Sequence, residues 1–524
     1  MITLESYLRG EWVKGQGEGA TLHDPTTGKP VATASSQGLD LVAAYEHARH
    51  AGGPALRRMS FAERGAMLKT LSAAIHDARE ELIEASILNA GTTRSDAKFD
   101  IDGASGTLAY YASLGKKLGD ARVLHEEPEQ LTRSPRFFGV HVWTPITGVA
   151  VHVNAFNFPA WGLAEKAAVA LLAGVPVISK PATATALLTY RMVQKMVAAS
   201  VLPKGALQLV VGSLGDLLGR LGSQDAFAFT GSGATGTKLR GLANLLERSV
   251  RVNVEADSLN LAVLAPDAEP GGEAYAMFVR DVAKEITQKS GQKCTAIRRV
   301  LVPAAVIDRV QEDLCERLSS VKVGDPSRDD VTMGPLATAQ QLADFRAGVS
   351  KLQASGARVV FGSATQCDPL GADANAGYFV GPVLLRADRP ADAHAVHEHE
   401  VFGPCATILP YSSTAEAVEL AARGGGGLVA SVYGDDRALL SELVLGLAPH
   451  HGRVLVGSKK IVDQAIAPGL VLPSCVHGGP GRAGGGEELG GERGLRFYMQ
   501  RTAVQGDRAL LDKILGLEPK AAEA

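Results

Sequence analysis

The sequence reads as an α/β protein with two doubly wound parallel-sheet domains and a small β flap. From Gly148 onward short apolar runs alternate with helical stretches, the pattern of parallel strands joined by crossover helices. The alternation resumes between Tyr275 and about Ser458, and 524 residues are too many for a single core. A third segment, residues 133–147, contains an alternating run enclosed by Pro135 and Pro145. It is expected to project as a hairpin and to pair with a strand near residues 497–504.

Residues 1–50 read as a short strand, a turn at Pro25-Thr26-Thr27-Gly28 and a helix. Residues 61–120 are helical, because Arg64, Leu68, Leu71, Ile75 and Ala78 recur at helical spacing. Strands are expected at 149–153, 175–179, 207–211, 226–230 and 250–254. Between them lie helices opened by Pro159, by Ala184, by Leu214 and by Gly233. In the second half, strands are expected at 299–302, 358–361, 406–409 and 453–456. Residues 477–491 hold eight glycines in fifteen positions, too many for a helix or a strand. They read either as a flexible surface loop or as backbone packed against a ligand or a neighbouring chain.

Composition excludes several classes. The formal charge of −3, from 53 basic and 56 acidic side chains, gives no footprint for nucleic acid or for an anionic membrane. Five cysteines without a CxxC pair point to a reduced compartment, and no metal site is expected. The N-terminus lacks a basic-then-apolar signal layout. The longest apolar stretch, 163–178, is interrupted by Glu165, Lys166, Gly174 and Pro176. A cytoplasmic protein is the expectation.

Several residues carry the chemistry. Cys294 lies in a polar stretch directly after Lys293, where a cation and backbone donors are expected to favour the thiolate, the form that attacks carbonyl carbon. The alternative is a small core residue. Asn157, Lys180 and Gly231-Ser-Gly-Ala-Thr-Gly236 each follow a strand, where ligands of open α/β sheets bind. The last is a literal GxGxxG between strand and helix, suited to a pyrophosphate, although no free acid follows at the spacing that would hold a ribose. Lys180 would anchor a phosphate or ribose, or simply reach water. Glu255 ends a strand and is a candidate general base, with Asp257 as its rival. Glu400 and Phe402, two residues apart, would address one ligand face, a carboxylate for a ribose beside a ring for a nicotinamide.

Taken together, Asn157-Phe-Pro159, Lys180-Pro-Ala182, Phe229-Thr-Gly-Ser232, Gly291-Gln-Lys-Cys294 and Glu400-Val-Phe-Gly-Pro404 resemble the signatures of the aldehyde dehydrogenase superfamily, in its order and over nearly the whole chain. The resemblance implies that Cys294 is the nucleophile, Glu255 the general base and Asn157 an oxyanion donor. It implies that Lys180, Ser232, Glu400 and Phe402 hold a nicotinamide dinucleotide, with Phe156, Gly231 and Gly236 in the same site. It also implies a dinucleotide-binding domain of residues 1–130 and 148–256, a catalytic domain of 257–475, oligomerisation strands at 131–147 and 492–510 and a homodimer. A neutral Thr183 stands where that family commonly carries an acid that repels a 2′-phosphate, so NADP is expected to be preferred, with NAD possible. The departures are Glu255-Ala-Asp-Ser-Leu-Asn260, Ala155-Phe-Asn157 and the glycine-rich 476–491 segment. They are similar to a subfamily that oxidises CoA-linked semialdehydes in the degradation of aromatic compounds. A dehydrogenase that passes its acyl group to free CoA and a non-catalytic scaffold are the competing readings.

Overall fold

The computed structural model describes residues 1–517. One seven-stranded sheet has the spatial order Arg251–Glu255, Ala226–Thr230, Ala150–Val153, Val177–Lys180, Leu207–Leu209, Ser6–Leu8 and Glu11–Val13. The first five strands are parallel, Ser6–Leu8 pairs antiparallel with the fifth, and Glu11–Val13 pairs antiparallel with Ser6–Leu8. The parallel strands are buried on both faces, which is why they read as continuous apolar runs.

A second seven-stranded sheet runs Arg358–Phe361, Val383–Arg386, Cys405–Tyr411, Arg299–Pro303, Leu261–Leu264, Gly427–Tyr433 and His451–Gly457. It is parallel apart from its first pair. Three of its strands, Leu261–Leu264, Val383–Arg386 and Gly427–Tyr433, are additions to the sequence-based expectation. The third sheet pairs Phe137–Pro145 antiparallel with Met499–Asp507 over nine residues, leaving the latter at the edge.

Other elements also depart from expectation. The first 34 residues hold five short strands rather than one. Beyond Leu214 only a 3₁₀ turn, Leu217–Arg220, forms, and the helix opened by Gly233 breaks into Gly233–Arg240 and Ala243–Glu247. The helix near Pro159 runs from Trp161 to Ala173 and is buried along its whole length. Its first N–H groups, of Ala160 and Trp161, donate to Asp100, a buried acid on helix Arg94–Leu118. Among the described residues no helix is long and apolar enough to cross a membrane.

The glycine-rich segment is neither a mobile loop nor without strands. Val476–Gly478 and Glu487–Leu489 form a two-stranded antiparallel sheet. Its glycines let backbone lie directly on backbone of the same chain. A Cβ on Gly484 would come 2.1 Å from the Val254 carbonyl oxygen, and one on Gly486 2.6 Å from the same atom. The hairpin is thereby pressed against the strand that ends in Glu255.

Candidate active site

Two cavities meet around Cys294. A narrow one is lined by Asn157, Phe158, Trp161, Glu255, Cys294 and His477. A larger one, of about 820 Å³, is lined by Phe156, Lys180, Ser232, Glu255, Cys294, Glu400 and Phe402, with Gly231 at its wall. Residues far apart in sequence therefore converge: Asn157, Lys180, Ser232 and Glu255 from strand ends or the loops after them, Cys294 and Glu400 from loops that follow helices.

The Cys294 loop is held by side chains that carry no sequence signature of their own. Asn260 Nδ2 donates to the carbonyls of Cys294 (2.8 Å) and Ala296 (2.9 Å). Arg298 donates through Nη1 to the Gly403 carbonyl and through Nη2 to those of Gly291 and Lys293. It thereby ties the Cys294 loop to the loop carrying Glu400 and Phe402. Gly291, at φ 66°, permits that approach, because a Cβ there would lie 2.2 Å from the Gly403 carbonyl oxygen.

The electrostatics of Cys294 differ from the sequence expectation. Lys293 does not face the thiol: its fully buried ammonium lies 2.8 Å from Glu285 and donates to Gln288. Burial, then the negative charge of Glu255, pushes the Cys294 thiol well above its ordinary value. The cation that does reach the thiol is His477, from the glycine hairpin. Its Nε2 lies 3.9 Å from Cys294 Sγ and 3.2 Å from Glu255 Oε2. Burial works to raise the Glu255 carboxyl, but the His477 charge and hydrogen bond outweigh it and hold the group down at about 2. Burial likewise opposes the charge on His477, and Glu255 overrides it and raises the imidazole.

Behind this pair lies a second buried cluster. Lys166 Nζ sits 3.1 Å from both Glu165 and Glu488, and Asn253 donates to Glu488. Burial raises the carboxyls of Glu165 and Glu488, the latter to about 7, and Lys166 pulls each of them back. The sequence signal for this cluster was Glu165-Lys166 inside an otherwise apolar helix, where buried charges require partners.

The cofactor-side residues divide. Lys180 has no carboxylate within ion-pair distance among the described residues, and burial pushes its ammonium down. It borders the 820 Å³ cavity and, with Thr183, a third, outer one of about 840 Å³ lined also by Ser36 and Gly212. Thr183 opens a 3₁₀ turn, and the helix that follows starts at Ala186. Glu400 accepts from the Ser258 N–H at 3.0 Å, and burial pushes its carboxyl up to about 7 against the pull of Arg298. Phe402 meets Phe156 edge to face, with ring centroids 5.7 Å apart.

The GxGxxG reading is corrected in two respects. Asp257 accepts from the Gly233 N–H at 2.8 Å, so a carboxylate already caps the helix that would receive a phosphate. Gly236 is buried under that helix, 3.1 Å at its Cβ position from Val254, and packs rather than lines. Ser232 caps the same helix through the Thr235 N–H. Asp257, once the rival base, is thus turned toward Gly233 and Arg482.

A buried cysteine, a carboxylate and an amide on one cavity, opening into a second with a buried acid and a lysine that has no ion-pair partner among the described residues, fit a dinucleotide-dependent dehydrogenase of the thiol type. Residues 12–504 match the aldehyde dehydrogenase family, and the chain belongs to it. It is 47% identical over 481 residues to the 3,4-dehydroadipyl-CoA semialdehyde dehydrogenase of Aromatoleum evansii, covering 91% of this chain and 93% of that one. It is 27% identical to the succinate-semialdehyde dehydrogenase [NADP(+)] GabD of Escherichia coli (strain K12), covering 95% and 96%. The crystal structure of PnpE from Pseudomonas sp. WBC-3 superposes with a TM-score of 0.83 at 25% identity, covering 96% of this chain and 98% of that one.

Proposed function

We propose that this aldehyde dehydrogenase oxidises a CoA-thioester semialdehyde of the 3,4-dehydroadipyl-CoA type to its carboxylic acid. Cys294 is the nucleophile in this reading, and the convergence of Cys294, Glu255 and Asn157 on one cavity is the observation that carries it. The substrate class follows the relative from Aromatoleum evansii, whose name states that substrate.

A nicotinamide dinucleotide fits the larger cavity, which offers a lysine without a protein anion, a buried acid and an aromatic face. When bound, it accepts a hydride. Lys180, Ser232, Glu400, Phe402 and Phe156 would hold it. Cys294 adds to the aldehyde carbon as thiolate, and the Asn157 amide donates to the resulting oxyanion; one such donor is worth about 3–4 kcal/mol of barrier. Loss of hydride leaves an acyl thioester on Cys294, and Glu255 draws a proton from the water that hydrolyses it. A carboxylate beside the thioester favours water over free CoA as the acceptor.

NADP⁺ is the preferred cofactor in this proposal, since Thr183 borders the outer cavity with Lys180 and presents no charge against a 2′-phosphate. A homodimer is proposed from the exposed edge of strand Met499–Asp507, which seeks a partner; light scattering that returns a monomer at micromolar concentration overturns that part. The activity is tested with a panel of aldehydes that includes CoA-linked semialdehydes, each with NADP⁺ and NAD⁺ and with or without free CoA. Reduced cofactor without added CoA is expected. A strict requirement for free CoA would make the enzyme an acylating one.

A further inference from the structure

Ionising Cys294 creates a problem that the family reading leaves open. The thiol is buried beside a carboxylate, so a thiolate and Glu255 would be two anions in one dry pocket. His477 stands between them. Its Nε2 faces both Sγ, at 3.9 Å, and Glu255 Oε2, at 3.2 Å, and the three ligand atoms all lie within 4.8 Å of one another. His477 is 2% exposed, and its Nδ1 is buried without a hydrogen-bond partner, so the ring is engaged through Nε2 alone. Its position is built in by the glycine hairpin, whose backbone lies on strand Arg251–Glu255.

We propose that His477 is a further catalytic residue, the counter-ion that passes from Glu255 to Cys294 as the thiol ionises. This rests on Cys294 being the nucleophile. The S–H bond breaks and an O–H bond forms on Glu255, while the electron pair stays on sulfur. The Nε2–H hydrogen bond moves from the carboxylate to Sγ. The group holds thiol, imidazolium and carboxylate before the step, and thiolate, imidazolium and carboxylic acid after it, so its net charge does not change. The thiolate pair then forms the C–S bond as the carbonyl π pair moves to oxygen. The other charged groups around the ring are Glu165 and Lys166 from helix Trp161–Ala173, Arg453 from strand His451–Gly457 and Glu488 from its own hairpin. Lys166 lies between Glu165 and Glu488, and Arg453 donates through Nη1 to the Leu470 carbonyl; the Arg453 charge also reaches Cys294, but the hydrogen bond to Sγ is that of His477.

The internal transfer has a signature that does not depend on turnover. Because no proton leaves the group, the thiolate fraction is independent of pH, whereas a thiol that ionises to solvent gains tenfold per pH unit below its pKa. The test measures iodoacetamide alkylation of Cys294, read at its own peptide by mass, between about pH 5 and 8, with Glu255 held down by His477 and the imidazole raised by Glu255. The wild type is expected to give a flat profile. H477F and H477Q are expected to lose the plateau, climb about tenfold per unit and react at least tenfold more slowly at pH 7. A wild-type rate that itself climbs tenfold per unit overturns the proposal, whether or not either variant folds. A plateau retained in a folded variant assigns the step to Glu255 alone and equally overturns it. Absence of aldehyde oxidation in the wild type would sink the proposed function instead and leave the alkylation profile readable.

Discussion

Replacing Glu255 by glutamine tests the chemistry most sharply, because the substitution removes a charge while keeping the shape of the side chain. Removing one member of a buried ion pair ordinarily costs about 3–5 kcal/mol of stability, since the other is left charged and dry. Here the partner is His477, which can shed its proton and become neutral, so the variant is expected to fold. A neutral imidazole 3.9 Å from Sγ is also free to take the thiol proton, so acylation continues. Water activation has no such substitute, and loss of a general base slows its step by roughly 10²–10⁴-fold, or about 3–5 kcal/mol of barrier. The expected result is a burst of reduced cofactor near one per site, then slow turnover, with an acyl adduct on Cys294 visible by intact mass. The stability profile also changes in sign-defined fashion. The Glu255 carboxyl is held down at about 2 in the folded chain, so its contribution is present above its ordinary value of 4.5 and is lost as pH falls toward 2. That acid-side dependence should vanish in the variant. A slow enzyme with neither burst nor adduct would refute the assignment of the base.

Cys294→Ala should abolish turnover and leave cofactor binding intact; activity within about tenfold of wild type, roughly 1.4 kcal/mol, removes Cys294 from the nucleophile role. Thr183→Glu should reverse the cofactor preference by placing a carboxylate beside the 2′-phosphate, and a wild type with higher kcat/KM for NAD⁺ contradicts the premise. The Glu400 carboxyl is raised to about 7, so it is protonated below that pH and a charged ribose acceptor above it. Cofactor affinity measured by calorimetry without substrate should therefore strengthen from pH 6 to pH 8 in the wild type and stay flat in Glu400→Gln.

Much of this architecture was legible because parallel strands buried on both faces must be continuously apolar. Residues 149–153, 175–179 and 226–230 announced themselves in that way, and Glu255 and Asn157 then fell at or just beyond strand ends, whereas Cys294 lies between a 3₁₀ turn and the strand that begins at Arg299. The strands at Leu261–Leu264 and Val383–Arg386 were missed because an apolar run of three or four residues has no period to distinguish strand from helix. The helix expected beyond Gly233 broke because its glycines make a cap and a packing contact, not a long helix. Arg298 and Asn260 were invisible for another reason. Arg298 donates to backbone carbonyls of distant loops, Asn260 donates to carbonyls and accepts from the Val429 N–H, and a residue that recognises backbone needs no particular neighbours in sequence.

The largest misreading concerns charge. Adjacency in sequence assigned the thiol's cation to Lys293, yet backbone geometry sends consecutive side chains in different directions, and that lysine is neutralised by Glu285 on the preceding helix. The cation that faces the sulfur comes from 183 residues further along the chain. Eight glycines looked like a break in structure when counted along the chain, because glycine weakens helices and strands alike. In the fold they let one backbone lie on another, with Gly484 and Gly486 against Val254, one residue before Glu255. A side chain larger than hydrogen at either position would push the hairpin outward and carry His477 away from Glu255. The composition that left a loop and packed backbone equally open is therefore what brings a histidine within hydrogen-bond reach of Glu255 and beside Cys294.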